Sequence, residues 1–232
     1  MIDIPNILEF LDFFGFLRGS LSAYIVLVTA SVIFIVRDWR WSVLALTIQY
    51  LVVGLLFSDV LEPQLAFIKV VVGLFICLII YFTARQVNWG QLPEDVTEDE
   101  AVQLREERLL RLGPYTLPTD TPFRVFFALM VILVVWTLSQ RPVFQLPVVP
   151  DHFNLAVLAL VGLGLVNLSF TSEPLKSGMG LLTFLTGFGL FYSGLEQSVL
   201  MLAFLAAANL MVALVVSYLT QARHAYPAIL DQ

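Results

Sequence analysis

The chain has 232 residues, 59% of them hydrophobic and 13% charged, with a net charge of −6 and a mean hydropathy of +0.89. That balance is too apolar for a soluble domain with a polar shell, and it leaves no basic patch to hold nucleic acid. A single cysteine, Cys77, excludes an intramolecular disulfide and a cysteine-based metal site.

From the N-terminus, MIDIPNILEFLDFFGFLRGS places Asp3, Glu9 and Asp12 where a cleavable signal would be basic, so no signal peptide is read there. Ile7 to Leu17 reads as a short helix lying in the interface, with Phe10, Phe13, Phe14 and Leu17 toward lipid. Seven apolar runs follow, at Ser20–Val36, Trp41–Asp59, Gln64–Ala84, Phe123–Ser139, Phe153–Thr171, Leu175–Ser193 and Ser198–Thr220. About 20 apolar residues cross a hydrocarbon core of about 30 Å, and none of the runs alternates as a barrel strand does. The expected fold is all-α, a polytopic membrane helical bundle of about seven transmembrane helices. Three regions divide it: residues 1–84 with the interfacial helix and spans one to three, a linker at 85–122, and residues 123–232 with spans four to seven.

The linker is the one long extramembrane segment. Thr97-Glu98-Asp99-Glu100 has capping-box spacing, acids occupy its first turn, and Arg105, Arg108 and Arg111 follow. A solvated helix ended by Gly113-Pro114 is predicted, with Glu107 and Arg111 as an i,i+4 pair. Loop charges set the orientation. One side collects Arg37, Arg40, Arg85, Arg105, Arg108, Arg111, Arg124, Lys176 and Arg223, the other only Arg18 and Arg141. The N-terminus is expected outside, the C-terminus in the cytoplasm, and the chain in a cell (inner) membrane.

The halves look alike. LEPQLAFIKVVVGLFICLIIYFTAR and LEQSVLMLAFLAAANLMVALVVSYLTQAR share Leu-Glu, then Leu-Ala-Phe, then Tyr-x-Thr, with Phe67 to Tyr81 and Phe204 to Tyr218 both 14 residues apart. The pattern points to parallel three-helix repeats, spans 1–3 and 5–7, about an axis along the membrane normal, with span four as connector.

Lys69 is the one basic residue inside a span, about 9 Å below the helix start at Pro63. Two readings stay open: a lysine snorkelling toward Glu62 or Glu196, and an inward-facing, partnered lysine that serves a proton relay. Gln49 and Asn209 are the other candidates for an intramembrane polar site. Asn209 sits among alanines in AAANLMVA, the composition of a close helix contact in lipid. Asn167 and the glycines Gly180, Gly187 and Gly189, together with Gly162, Gly164, Gly178 and Gly194, mark helix packing. His152 and His224 sit at span ends. No catalytic set, metal-ligand spacing, phosphate-cradling loop or cofactor motif is present in the sequence, so no cofactor, small-molecule substrate or enzymatic activity is expected.

LTIQYLVVGLLF, AFIKVVVGLFICLIIYFTARQ, SEPLKSGMGLLTFLTGFGLFYSGLEQS and AFLAAANLMVALVVSYLTQARH resemble the small membrane subunits of complex I-like machines. The resemblance is nearest to hydrogenase-4 component E, with the K subunit of NADH–quinone oxidoreductase behind it, and spans the chain outside Gln86–Pro122. It implies a non-catalytic subunit beside larger antiporter-like subunits in an ion-translocating assembly. Family members carry a glutamate in the glycine-containing span, where this chain has about Leu185, followed by Thr186, and where the K subunit has a second buried acid this chain has Asn209 or a neighbour. Lys69 matches a lysine-containing stretch. The rival readings are a stand-alone transporter or channel, in which Lys69, Gln49 and Asn209 converge in a cavity, and a membrane anchor or assembly factor acting through Glu94–Gly113.

Overall fold

A computed structural model describes residues 19–87, 109–112, 115–118, 121–144, 149–171 and 173–224. Seven helices account for nearly all of it: α1 Ser20–Ile35, α2 Trp39–Ser58, α3 Pro63–Gln86, α4 Thr121–Ser139, α5 Asp151–Phe170, α6 Pro174–Leu195 and α7 Val199–His224. Six are long and apolar enough to cross a membrane. At 16 residues α1 is the exception, rising about 24 Å at 1.5 Å per residue. Each apolar run therefore becomes a helix, and the chain is a multi-pass, membrane-type bundle.

Local signals place the boundaries. Asp38 caps α2 by accepting from the Arg40 amide at 2.9 Å. Pro63 and Pro174 occupy the first turns of α3 and α6, where the missing N–H leaves nothing unsatisfied. Buried hydroxyls inside these apolar helices donate to carbonyls one turn back, as Thr29, Thr183, Thr186 and Thr220 do.

The linker departs from expectation. Leu109–Leu112 and Tyr115–Pro118 form an antiparallel pair, β1 and β2, with Leu109 opposite Pro118 and Leu112 opposite Tyr115. The predicted helix therefore does not reach Gly113-Pro114. Pairing of Leu109–Leu112 with Tyr115–Pro118 overrides the helix signals of this stretch. The capping box at Thr97, the Glu107 partner of Arg111 and the N-terminal interfacial segment lie outside the described residues.

The bundle is two rows of three helices. The α1–α2–α3 row packs on the α5–α6–α7 row, with α1 against α5, α2 against α6 and α3 against α7; α4 covers α5 and α1 from outside. Facing residues keep a constant separation in sequence. Ser42 meets Lys176 and Gln49 meets Thr183, each pair 134 residues apart. Lys69 meets the Leu202 carbonyl at a separation of 133 and Thr83 meets Ser217 at 134. Facing helices thus run parallel and in register. The sequence-matched Phe67 and Phe204, and Tyr81 and Tyr218, are all exposed, so equivalent positions look outward from both rows. A two-fold axis along the bundle would set α1 against α7. The rows are instead stacked by displacement, which corrects the expected rotational relation.

Two apolar clusters fill the interior, one above the other. The first holds Leu56, Phe57, Phe153, Leu160 and Leu190, and the second holds Leu46, Ile76, Ile80, Met179, Leu182 and Ala213. Between them lies a polar layer.

Candidate functional site

The polar layer is built where α2, α3, α6 and α7 meet. A small cavity there, with about 20 Å³ of space open to a water molecule, is lined by Tyr50, Phe57, Lys69, Gly73, Thr186, Gly189 and Asn209, among others. That volume holds roughly one water. Lys69 and Asn209, 140 residues apart in sequence, thus share one wall.

Lys69 points inward. Its Nζ donates to the Leu202 carbonyl of α7 at 2.9 Å and lies 5.7 Å from the Phe57 ring centroid. The snorkelling alternative does not describe it, because Glu62 and Glu196 are exposed in turns and the ammonium is committed to a neighbouring helix. Tyr50 is buried, its ring packed on Gly73: a Cβ there would lie 2.6 Å from the ring. Its hydroxyl comes toward Thr186 but closes no hydrogen bond. The Asn209 Oδ1 is likewise buried and unpartnered.

Gln49 is fully buried but does not line the cavity. Its Nε2 donates to the Thr183 hydroxyl at 3.4 Å, and its Oε1 has no partner. Two of the three expected polar residues therefore converge, and the third ties α2 to α6 one turn away.

The glycines divide. A Cβ on Gly180 would meet Asn167 and the Leu168 backbone at 3.0 Å, and one on Gly187 would meet Leu160 Cβ at 2.6 Å. Both lie in the α5–α6 contact. Gly164, facing them, would press on the Phe184 backbone nitrogen at 2.6 Å. Asn167 stitches the same contact, donating to the Lys176 carbonyl at 3.3 Å and accepting from Thr171 at 3.3 Å. Gly189 is different: a Cβ there would meet only Phe57, at 4.0 Å. It forms cavity wall rather than the close helix contact expected of it.

Two cations counted with the loops turn out to be structural. Lys176 is 4% exposed; its Nζ donates to the Ile33 carbonyl at 3.4 Å, to the Val36 carbonyl and to the Ser42 hydroxyl. Arg124 donates to the Phe34 carbonyl at 3.1 Å and to the Phe170 carbonyl at 3.5 Å. Together they satisfy carbonyls left open where α1 and α5 end, with charge of the sign the helix dipole favours. The shortest of the seven helices is thereby anchored by its neighbours.

At the opposite end, Gln197 donates to the Val60 carbonyl at 2.7 Å, joining the α2–α3 and α6–α7 turns. His152 Nε2 lies 3.8 Å from Asp59 Oδ2. Among the described residues no group of three or more His, Cys, Asp or Glu could hold a metal ion. Sequence reasoning missed Tyr50 and the buried role of Lys176, whereas Thr186 stands among the mid-span polar residues read from the sequence. The adjacency of Tyr50 to Gln49 was the one available signal, since a buried phenol and amide in succession face two different helices.

Searches against family models, curated proteins and solved structures found no match. Function must therefore be argued from the geometry.

Proposed function

We propose that this chain is a non-catalytic integral membrane subunit of an ion-translocating assembly of the complex I or hydrogenase kind. It packs beside a larger antiporter-like subunit and aligns it. The observation that carries this reading is the displaced, in-register stacking of the two three-helix rows. A rotational repeat closes on itself, whereas a displaced one leaves unlike faces at both ends, open to further rows of the same design. The outer faces are apolar enough for such a neighbour or for lipid, with Phe204, Met211 and Tyr218 of α7 at 67%, 69% and 71% exposure. Among the described residues no carboxylate lines the cavity. Lys69 contributes fixed charge. In this reading the N-terminus is outside and the C-terminus cytoplasmic, as the loop charges favour.

Purification of the tagged protein from its own membranes in mild detergent, followed by identification of co-eluting chains, tests the proposal. Antiporter-like membrane proteins in stoichiometric amount are expected. A monodisperse single species would overturn it.

The convergence of Lys69 and Asn209 on one cavity favours a second reading, a stand-alone carrier for a water-sized ion. It predicts flux from the lone chain in proteoliposomes, abolished by Lys69→Met.

A further inference from the structure

We infer that the space between α2, α3, α6 and α7 binds one small monovalent anion of halide size, with Lys69 as its counter-charge. The inference does not rest on the assembly proposed above. The polar side chains around the space are Tyr50, Lys69, Thr186 and Asn209, and no acid is among them. The described carboxylates, Asp38, Asp59, Glu62, Asp151, Glu173 and Glu196, all lie in turns or at helix ends. Lys69 is half-buried, and an ammonium turned into an apolar bundle without a counter-charge is costly. An anion drawn from solution relieves that cost.

The donors suit that task. Lysine has three N–H groups; one goes to the Leu202 carbonyl, and the others remain for the cavity and the face of Phe57. The Tyr50 hydroxyl, on a side chain only 6% exposed, has no acceptor. Thr186 already donates to the Leu182 carbonyl and adds no proton. Asn209 closes the remaining wall, and its amide NH₂ supplies donors that an anion can use. The ammonium excludes a cation. The space open to a water molecule, about 20 Å³, suits an ion of about one water's size better than sulfate or phosphate. Water alone would satisfy the hydroxyl and leave the charge unbalanced.

The test uses full-length protein in lipid nanodiscs, with thermal unfolding followed in chloride, bromide, gluconate or sulfate at one ionic strength. Chloride and bromide are expected to raise the midpoint saturably, as a ligand of the folded state does, while gluconate and sulfate do not. Lys69→Met should abolish the halide effect, and Tyr50→Phe should weaken apparent affinity by about tenfold through loss of one donor. The phenylalanine keeps the ring that packs on Gly73, so a folded variant is at hand even where Lys69→Met does not fold. Equal midpoints in chloride and gluconate would mean that the space holds water only and would overturn the proposal. A halide effect undiminished in Tyr50→Phe or Lys69→Met would also overturn it.

Discussion

The α5–α6 contact and the contact of α2 and α3 with α6 and α7 use the same ingredients, glycine and amide among apolar residues, to opposite ends. In the first, Gly164, Gly180 and Gly187 bring backbones together, and the Asn167 amide is bonded on both sides. In the second, Gly189 borders open space, and Asn209 Oδ1 and the Tyr50 hydroxyl have no partner. Small residues in lipid allow close approach, but they do not compel it. Where neighbouring side chains hold the helices apart, a glycine borders a cavity and an amide oxygen is left without a partner.

Substitutions can break that contrast. The largest effect is expected at Gly164→Ala, whose methyl would lie 2.6 Å from the Phe184 nitrogen and 3.0 Å from the Gly180 oxygen. Backbone cannot swing aside, so a loss of about 3 kcal/mol is expected in reversible unfolding in mixed micelles followed by circular dichroism. Next is Lys176→Met, which removes the buried donor shared by the Ile33 and Val36 carbonyls and the Ser42 hydroxyl, leaving Val36 only its bond from Ser42, and should cost about 2 kcal/mol by the same assay. Asn209→Leu should fall within about 1 kcal/mol of the parent, on the stabilising side, because it removes a buried oxygen that nothing satisfies. Gly189→Ala should move stability by less than about 0.5 kcal/mol, its methyl meeting only Phe57 at 4.0 Å. If Gly189→Ala proved as damaging as Gly164→Ala, the two regions would not differ as described.

Much of the fold was legible in the residues. Every apolar run is a helix within a few residues of its expected limits, because transfer of a segment out of water is a local sum over its side chains. The site was half legible. Lys69 and Asn209 drew notice as polar residues at depth, and they do share a cavity. Tyr50 did not, since a tyrosine in an apolar run looks like any other aromatic until its ring is found wedged on Gly73. Lys176 was counted with the solvent-facing loops because it stands two residues after Pro174; only the shortness of α1 brings open carbonyls within its reach. The linker hairpin was hidden for a related reason, as its strands are stabilised by each other and not by their own composition.

Sequence alone determined that this is a bundle of membrane-type helices, how many there are, where they begin, and that Lys69 sits well inside one of them. Tertiary structure decided that the two triplets stack by displacement, that Lys69 turns inward, and which glycines bind helices together and which border a void. The first set follows from free energies of single segments, which add along the chain. The second depends on which helix faces meet, a matter of shape between residues some 134 positions apart, and no local pattern encodes it.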